Sequence, residues 1–347
     1  MTSADKKKSR IREIVSFNLS IILSLGLLYY AFTGVDLTNL WEIISSASIF
    51  WVIVFAFLTV FAHYLRALRW KFILSSVKPE VKVKNLFSSV MIGYGVNNII
   101  PRLGEIARAV LIGQTEKISR SSALGTIVIE RVIDIIFFGL AVILSAFIFS
   151  GDLYTEIPWL QATIIFGAIL IFIGIIFLVF TIKFKEKFYS VLTKIISKLS
   201  EKLAAKLGSI FEKLILGFSS LKGSRNYFLT LLFSVLIMLT YAATSYVGFL
   251  TLNMQSVKEI NFGTAWIVMS ISAIGVMIPT PGGIGSYHTI TKSILITLFG
   301  FAPELSLAFA TLTHGISYFT HLIIAAGFFL AYRKQITKEN LFKIEEN

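Results

Sequence analysis

The sequence predicts an all-α polytopic membrane protein. About eight membrane segments are expected, two of them broken re-entrant hairpins, in an inverted-topology repeat with both termini in the cytoplasm. Three observations predict this. Hydrophobic residues make up 56% of the chain, charged residues 15%, and mean hydropathy is +0.80. Runs such as Ala162–Phe180 and Tyr227–Leu252 are long enough to cross about 30 Å of hydrocarbon. Finally, one pattern, I-P-x-x-G-x-I, occurs at Ile100–Ile106 and again at Ile278–Ile284, each time interrupting an apolar segment. Proline removes a backbone donor and clashes with the preceding turn, and glycine relaxes backbone sterics, so each copy should break a helix. A pair of breaks in corresponding positions of two halves points to a transporter-type binding site.

Charge orients the segments. The net charge of +13 is concentrated at the N-terminus, at 66–84, 102–120, 183–225 and 333–343. The connectors 33–48 and 150–158 carry Asp36, Glu42, Asp152 and Glu156 and no Lys or Arg. The positive-inside rule places the basic connectors in the cytoplasm and the acidic ones outside. The basic balance therefore reports membrane orientation and anionic lipid, and no nucleic-acid partner is expected.

Taken in order, Ile14–Phe32 follows a basic start, is long, and precedes no A-x-A cleavage site, so it reads as a retained first span. Span 49–68 returns and delivers Arg66, Arg69 and Lys71 to the cytoplasmic edge. A hairpin over 86–113, broken at Pro101 and Gly104, enters and leaves on the cytoplasmic side, which keeps Lys117 and Arg120 inside. Span 123–149 goes out and 159–181 comes back. Span 227–252 runs outward. Segments 262–278 and 284–300 form a second hairpin from outside, broken at Pro279 and Pro281, and 305–332 returns to a basic C-terminus. The chain is one integral membrane domain, 1–347, with a first repeat at 49–149 and a second at 227–332. Between them, 183–226 alternates apolar and lysine faces at helical spacing, for example Leu192, Ile195, Leu199 against Lys194, Lys198, Lys202. It reads as an amphipathic linker on an anionic cytoplasmic surface.

The candidate substrate-binding residues gather at the breaks and on one span. The first break carries Asn97, Asn98, Arg102, Glu105 and Arg108. Backbone freed at depth is tolerated only where it lines a cavity or is buried in protein. A half-helix beginning there offers unpaired N–H groups to an anion, and Arg matches phosphate geometry. The plainer reading of these charges is an internal Arg–Glu pair. Span 123–149 carries Glu130, Arg131 and Asp134. Glu130 and Asp134 share a face, and charges inside hydrocarbon default to function and to partners, here Arg102, Arg108 or Arg66. The second break has no charge, but Gly282, Gly283, Gly285, Ser286 and His288 let a ligand or another backbone approach. His63, His288, His314 and His321 lie in apolar segments without metal-ligand spacing. They read as packed, hydrogen-bonded histidines, a cavity lining or a proton relay. No metal, no cofactor and no catalytic residue is expected. The absence of cysteine excludes disulfides and thiolate chemistry and leaves the compartment open.

The string N-N-I-I-P-R-L-G-E-I-A-R (97–108), then E-R-x-x-D (130–134), then P-T-P-G-G-I-G-S (279–286), with R-A-L-R-W (66–70), resembles the lysylphosphatidylglycerol synthase transmembrane, or flippase-like, family. That family includes the flippase portion of MprF-type proteins and YbhN-like stand-alone proteins. The resemblance covers roughly 15–332. It implies a multi-pass protein of the bacterial cytoplasmic (inner) membrane and, by analogy, lipid transport between leaflets. It also implies functional roles for Asn98, Pro101, Arg102, Gly104, Glu105, Arg108, Glu130, Arg131, Asp134, Pro281, Gly282, Gly283 and Gly285. Tyr287 and His288 stand where many relatives have an acidic residue. The chain carries no soluble acyltransferase-like domain, so lysyltransferase activity is not expected. The expected function is translocation or binding of a phospholipid or related anionic lipid, with oligomerisation possible. The alternatives are a membrane enzyme or accessory protein acting on polyprenyl-phosphate or phospholipid head groups, with Glu130 or Asp134 as base, and a small-solute carrier.

Overall fold

The computed structural model describes residues 3–75, 77–101, 103–149, 151, 153–162, 165, 167–169, 172 and 223–333. Among these the regular structure is entirely helical. The expected amphipathic face of 183–226 lies outside them, except that its last residues begin a span, and 159–181 lies largely outside them too.

Helix α1 (Ser3–Phe32) starts in the basic segment and ends at Thr33. Asp36 then caps α2 (Leu37–Ser45): its carboxylate accepts from the N–H groups of Thr38 and Asn39 at 2.8 and 3.3 Å. The two helices meet at 91°. Helix α3 (Ile49–Leu74) continues six residues beyond the expected span. Arg66 and Arg69 are both buried inside the protein. Helices α4 (Val83–Ile99) and α5 (Leu103–Glu116) flank the first break, α6 (Arg120–Ile148) follows, and α7 (Leu153–Glu156) is a single turn. Helix α8 (Ser224–Thr251) starts after Gly223, three residues before the expected 227. A 3-10 turn at Met254–Ser256 leads to α9 (Phe262–Met277), the second break, α10 (Ser286–Phe299) and α11 (Pro303–Tyr332). Among the described residues, α3, α8 and α11 are long and apolar enough to cross a membrane, or four segments if the bent pair α1–α2 counts as one.

Helices α3 and α8 form an antiparallel pair that serves as an axis. At one end Ser48 N–H donates to the Thr251 carbonyl at 2.9 Å; at the other the Asn226 amide meets Ser75 at 3.0 Å. Both breaks produce antiparallel hairpins. In the first, Asn85 near the start of α4 bonds Glu116 at the end of α5, while Gly93 lies against Gly104. In the second, Thr291 of α10 bonds Ser272 of α9 at 2.9 Å, and Gly275 lies against Ser286.

Two hydrophobic cores sit at opposite ends of the axis. One joins the C-terminal part of α3 (Ala67, Trp70, Ile73, Leu74) to the first hairpin and α6 through Leu86, Val90, Ile112 and Ile127. The other joins the C-terminal end of α8 (Phe249, Leu252) to the second hairpin and α11 through Val268, Ile271, Ile294 and Phe309. Each hairpin is thus rooted at its own end. Their tips touch: a side chain at Gly282 would lie 3.3 Å from the Asn98 carbonyl oxygen. Helix α1 is fastened to the second hairpin by Ser24 donating to the Ile284 carbonyl, Thr289 to that of Leu27, and Lys292 to those of Ala31 and Thr33. Lys292 thereby caps the C-terminus of α1.

Candidate functional site

The site grows from two helical spacings. Arg66 and Arg69 are three apart on α3, and Glu130 and Asp134 are four apart on α6, so each helix presents two charges one turn apart. Where the helices face each other, the carboxylates interleave with the guanidiniums. Arg66 reaches Glu130 at 2.7 Å and also Asp134; Arg69 reaches Asp134 and lies 3.7 Å from Glu130. Arg108 of α5 takes the other side of Glu130 with two donors, at 2.7 and 3.3 Å. Its guanidinium sits 4.3 Å from the centre of the Trp70 ring, whose indole N–H donates to Thr126 at 2.9 Å. Tyr241 and Ser234 of α8 accept from Arg66 and Arg69 at 3.3 and 3.1 Å. The network therefore ties α3, α5, α6 and α8 together.

At its edge stands a second, looser pair. Arg131 Nε is 3.7 Å from Glu105 Oε1, and Arg131 Nη1 is 3.5 Å from Asp134. The side chains of Arg131 and Glu105 are 36% and 28% exposed, against 6% or less for the five inner charges. Asn97 reaches toward both Glu105 oxygens at 3.4 Å, and its own carbonyl oxygen accepts from the Gly104 N–H at 2.7 Å. That last bond satisfies one of the donors freed by Pro101 and closes the turn. A Cβ at Gly104 would strike the Gly93 carbonyl and Asn97, so the turn closes only with glycine there. Among the described residues, four guanidiniums meet three carboxylates, and the surplus charge is positive. Glu130 lies about 15 Å along α6 from its start.

Of the residues read from the sequence, the structure gathers Asn97, Glu105, Arg108, Glu130, Arg131 and Asp134 around this network. Arg102 lies outside the described residues. Glu130, Asp134 and Arg108 are buried; Glu130 pairs with Arg66 and Arg108, and Asp134 with Arg66 and Arg69. Neither carboxylate is open to a substrate as a base. Asn98 instead bridges the two hairpins: its amide donates to the Tyr318 carbonyl at 3.1 Å. At the second break Gly282, Gly283 and Gly285 all adopt positive φ, +59°, +77° and +85°. The space left by their missing side chains at Gly282 and Gly285 is filled by the protein itself, by Asn98 and Tyr318 and by the α1 backbone at Ser24. Ser286 is buried on Thr280 and the Gly283 carbonyl, and His288 accepts from the Gly285 N–H at 3.4 Å. Among the described residues no group of three or more His, Cys, Asp or Glu gathers in metal-binding geometry.

Sequence reasoning missed Arg69, Trp70, Tyr241 and Ser234. For Arg69 the signal was present in its three-residue spacing from Arg66, which puts both guanidiniums on one face of α3, as the four-residue spacing does for the two acids on α6. At the end of α5, Glu116 forms a further cluster, accepting from Lys78 Nζ at 2.8 Å, Asn85 at 2.7 Å and the Lys82 N–H at 3.2 Å. Burial alone would raise its carboxyl above the ordinary range, but these donors and the Lys78 charge hold it below.

Comparison with known proteins agrees with this picture. The family model described as "Lysylphosphatidylglycerol synthase TM region" matches residues 17–325, and the chain belongs to that family. A UPF0104 membrane protein of Methanocaldococcus jannaschii is 26% identical over 344 residues, covering 96% of this chain and 97% of the relative. A UPF0104 membrane protein of Methanothermobacter thermautotrophicus is 28% identical over 114 residues, 32% of this chain and 33% of the relative. Both relatives are archaeal, so the match supports a membrane protein without singling out the bacterial inner membrane. No solved structure matches.

Proposed function

We propose that this chain, as a member of the lysylphosphatidylglycerol synthase transmembrane-region family, is a flippase-like transporter that binds and translocates a phospholipid or related anionic lipid. One observation carries the reading: an ionic network at depth holds a surplus positive charge, and its half-exposed members, Arg131 and Glu105, stand beside a helix break. A buried charge marks function by default in a membrane. The inner five charges act as a rigid base, and Arg131 is the cation left to receive a phosphate, with Arg102 next to the same break. Glu105 and Asn97 suit a headgroup amine or hydroxyl. Ile99, Ile100, Leu103 and Ile106 at the first tip, and Val276 and Met277 at the second, are exposed apolar side chains that acyl chains can cover.

In this reading the two halves, 49–149 and 227–332, form an inverted repeat with both termini in the cytoplasm. The rooting of the hairpins at opposite ends of the α3–α8 axis, with their tips in contact, supports it. The protein then sits in the cytoplasmic membrane as about eight segments, its basic stretch 183–226 against anionic lipid.

The test is leaflet-resolved translocation of fluorescent phosphatidylglycerol in proteoliposomes. Loss of a charge-assisted hydrogen bond amounts to about 1.5–3 kcal/mol, so Arg131→Gln should slow translocation about tenfold or more. A variant as fast as wild type would remove the proposal.

A further inference from the structure

All four histidines are gathered on one route between the two breaks. His314, Tyr318 and His321 lie on one face of α11. His321 Nε2 is 2.8 Å from His63 Nε2 of α3, and Tyr94 of α4 lies over both rings, at centroid distances of 4.0 Å from His63 and 5.2 Å from His321. At the other end His314 lies 5.0 Å from His288 of α10 and 5.3 Å from Tyr287. Between them Tyr318 sits against Gly282 and donates to the Asn98 carbonyl at 3.5 Å, where the hairpin tips meet. His314 and His321 are about 10 Å apart along the helix.

Two imidazole nitrogens at 2.8 Å require one proton between them, since two lone pairs or two N–H groups would repel. The His63–His321 pair therefore holds one shared proton. His63 Nδ1 is buried with no hydrogen-bond partner, and so is His314 Nε2. When His63 donates from Nε2, its Nδ1 is a bare lone pair that can take a further proton, giving an imidazolium that still donates to His321. The step forms an N–H bond and breaks an O–H bond of hydronium; the proton enters from water on one side of the membrane and is returned to water on the other. The charged and titratable groups around the pair are Arg66 on α3, Tyr94 on α4, Arg108 on α5, Arg131 on α6 and His314 on α11. The three cations oppose an added proton. An anion bound at Arg131 would offset them, and by linkage the proton would strengthen that anion's binding by the same factor.

We propose that the His63–His321 pair takes up a proton together with an anionic headgroup, so that lipid translocation is coupled to proton movement, with Tyr318 and His314 of α11 and then His288 of α10 carrying the proton toward the second break. The inference rests on the transporter reading above and adds its driving ion.

The experiment uses the full chain in proteoliposomes with trace fluorescent phosphatidylglycerol, membrane potential clamped at zero and a one-unit pH step. Coupling of one proton per lipid should enrich the probe about tenfold in the leaflet facing the alkaline side. His63→Gln and His321→Gln should still exchange the probe but leave it evenly distributed. Wild-type exchange that ignores the pH step, or a His63→Gln variant as biased as wild type, would overturn proton coupling while the transporter reading stands. An absence of any exchange by wild type would overturn both. The wild-type result alone decides the matter if the variants fail to fold.

Discussion

Glu130 is fully buried and is held by Arg66 and Arg108, so removing its charge strands the Arg108 guanidinium without water and leaves Arg66 on Asp134 alone. Breaking a buried ion pair from one side costs about 3–5 kcal/mol. Glu130→Gln should therefore lower unfolding free energy in detergent by about that amount, measured by chemical or thermal denaturation. Arg131→Gln, half-exposed and loosely paired, should stay within about 1 kcal/mol of wild type while impairing lipid movement. The contrast separates scaffold from contact at adjacent positions. Glu116 gives a pH prediction. Its folded carboxyl titrates below the unfolded one, near 4.3, so its stabilisation is present above that value and fades as pH falls through the lower folded value. Glu116→Gln should thus destabilise at pH 7 and matter less at pH 4, read by parallel melts. At this scale the sequence reading named Arg66 and Arg108 among the partners of Glu130 and Asp134, but not Arg69, and not which cation meets which acid. Arg66 lies 64 residues from Glu130. Helical spacing shows which charges share a face, and a contact between distant helices leaves no periodicity to read.

The hairpins were the most legible elements, because proline and glycine act locally and leave their mark in adjacent letters. Their boundaries fall within three residues of the expected ones. Less visible was what the glycines serve: Gly104 admits the Gly93 carbonyl, and Gly285 admits the backbone of α1. Overfilling so close a contact typically costs about 1–3 kcal/mol. Gly104→Ala should accordingly lower the melting temperature and loosen the first hairpin, seen as faster amide exchange over 93–108 than over α9 and α10. The end of α3 falls six residues past the expected one, because an arginine buried in the protein and one on its surface look alike until the neighbouring helix is known.

On the scale of the molecule, charge asymmetry gives the two hairpins opposite expected orientations, and the contact between their tips rests on packing that no local pattern encodes. A chain without cysteine is a ready background for topology mapping. Single cysteines at Thr38 and at Lys82 should label from opposite sides with an impermeant maleimide, Thr38 from outside; labelling of both from one face would contradict the inverted arrangement. The ion network also constrains how the protein is made. Helix α3 leaves the ribosome with two arginines whose counter-charges, Glu130 and Asp134, are synthesised more than sixty residues later. Each uncompensated charge costs about 2.5–3.5 kcal/mol at mid-membrane. Nascent α3 must therefore linger beside the insertion machinery, or ride shallow in the bilayer, until α6 emerges. Biogenesis thus has an order, and a chain released before residue 120 should be drawn to quality control rather than rest in the membrane.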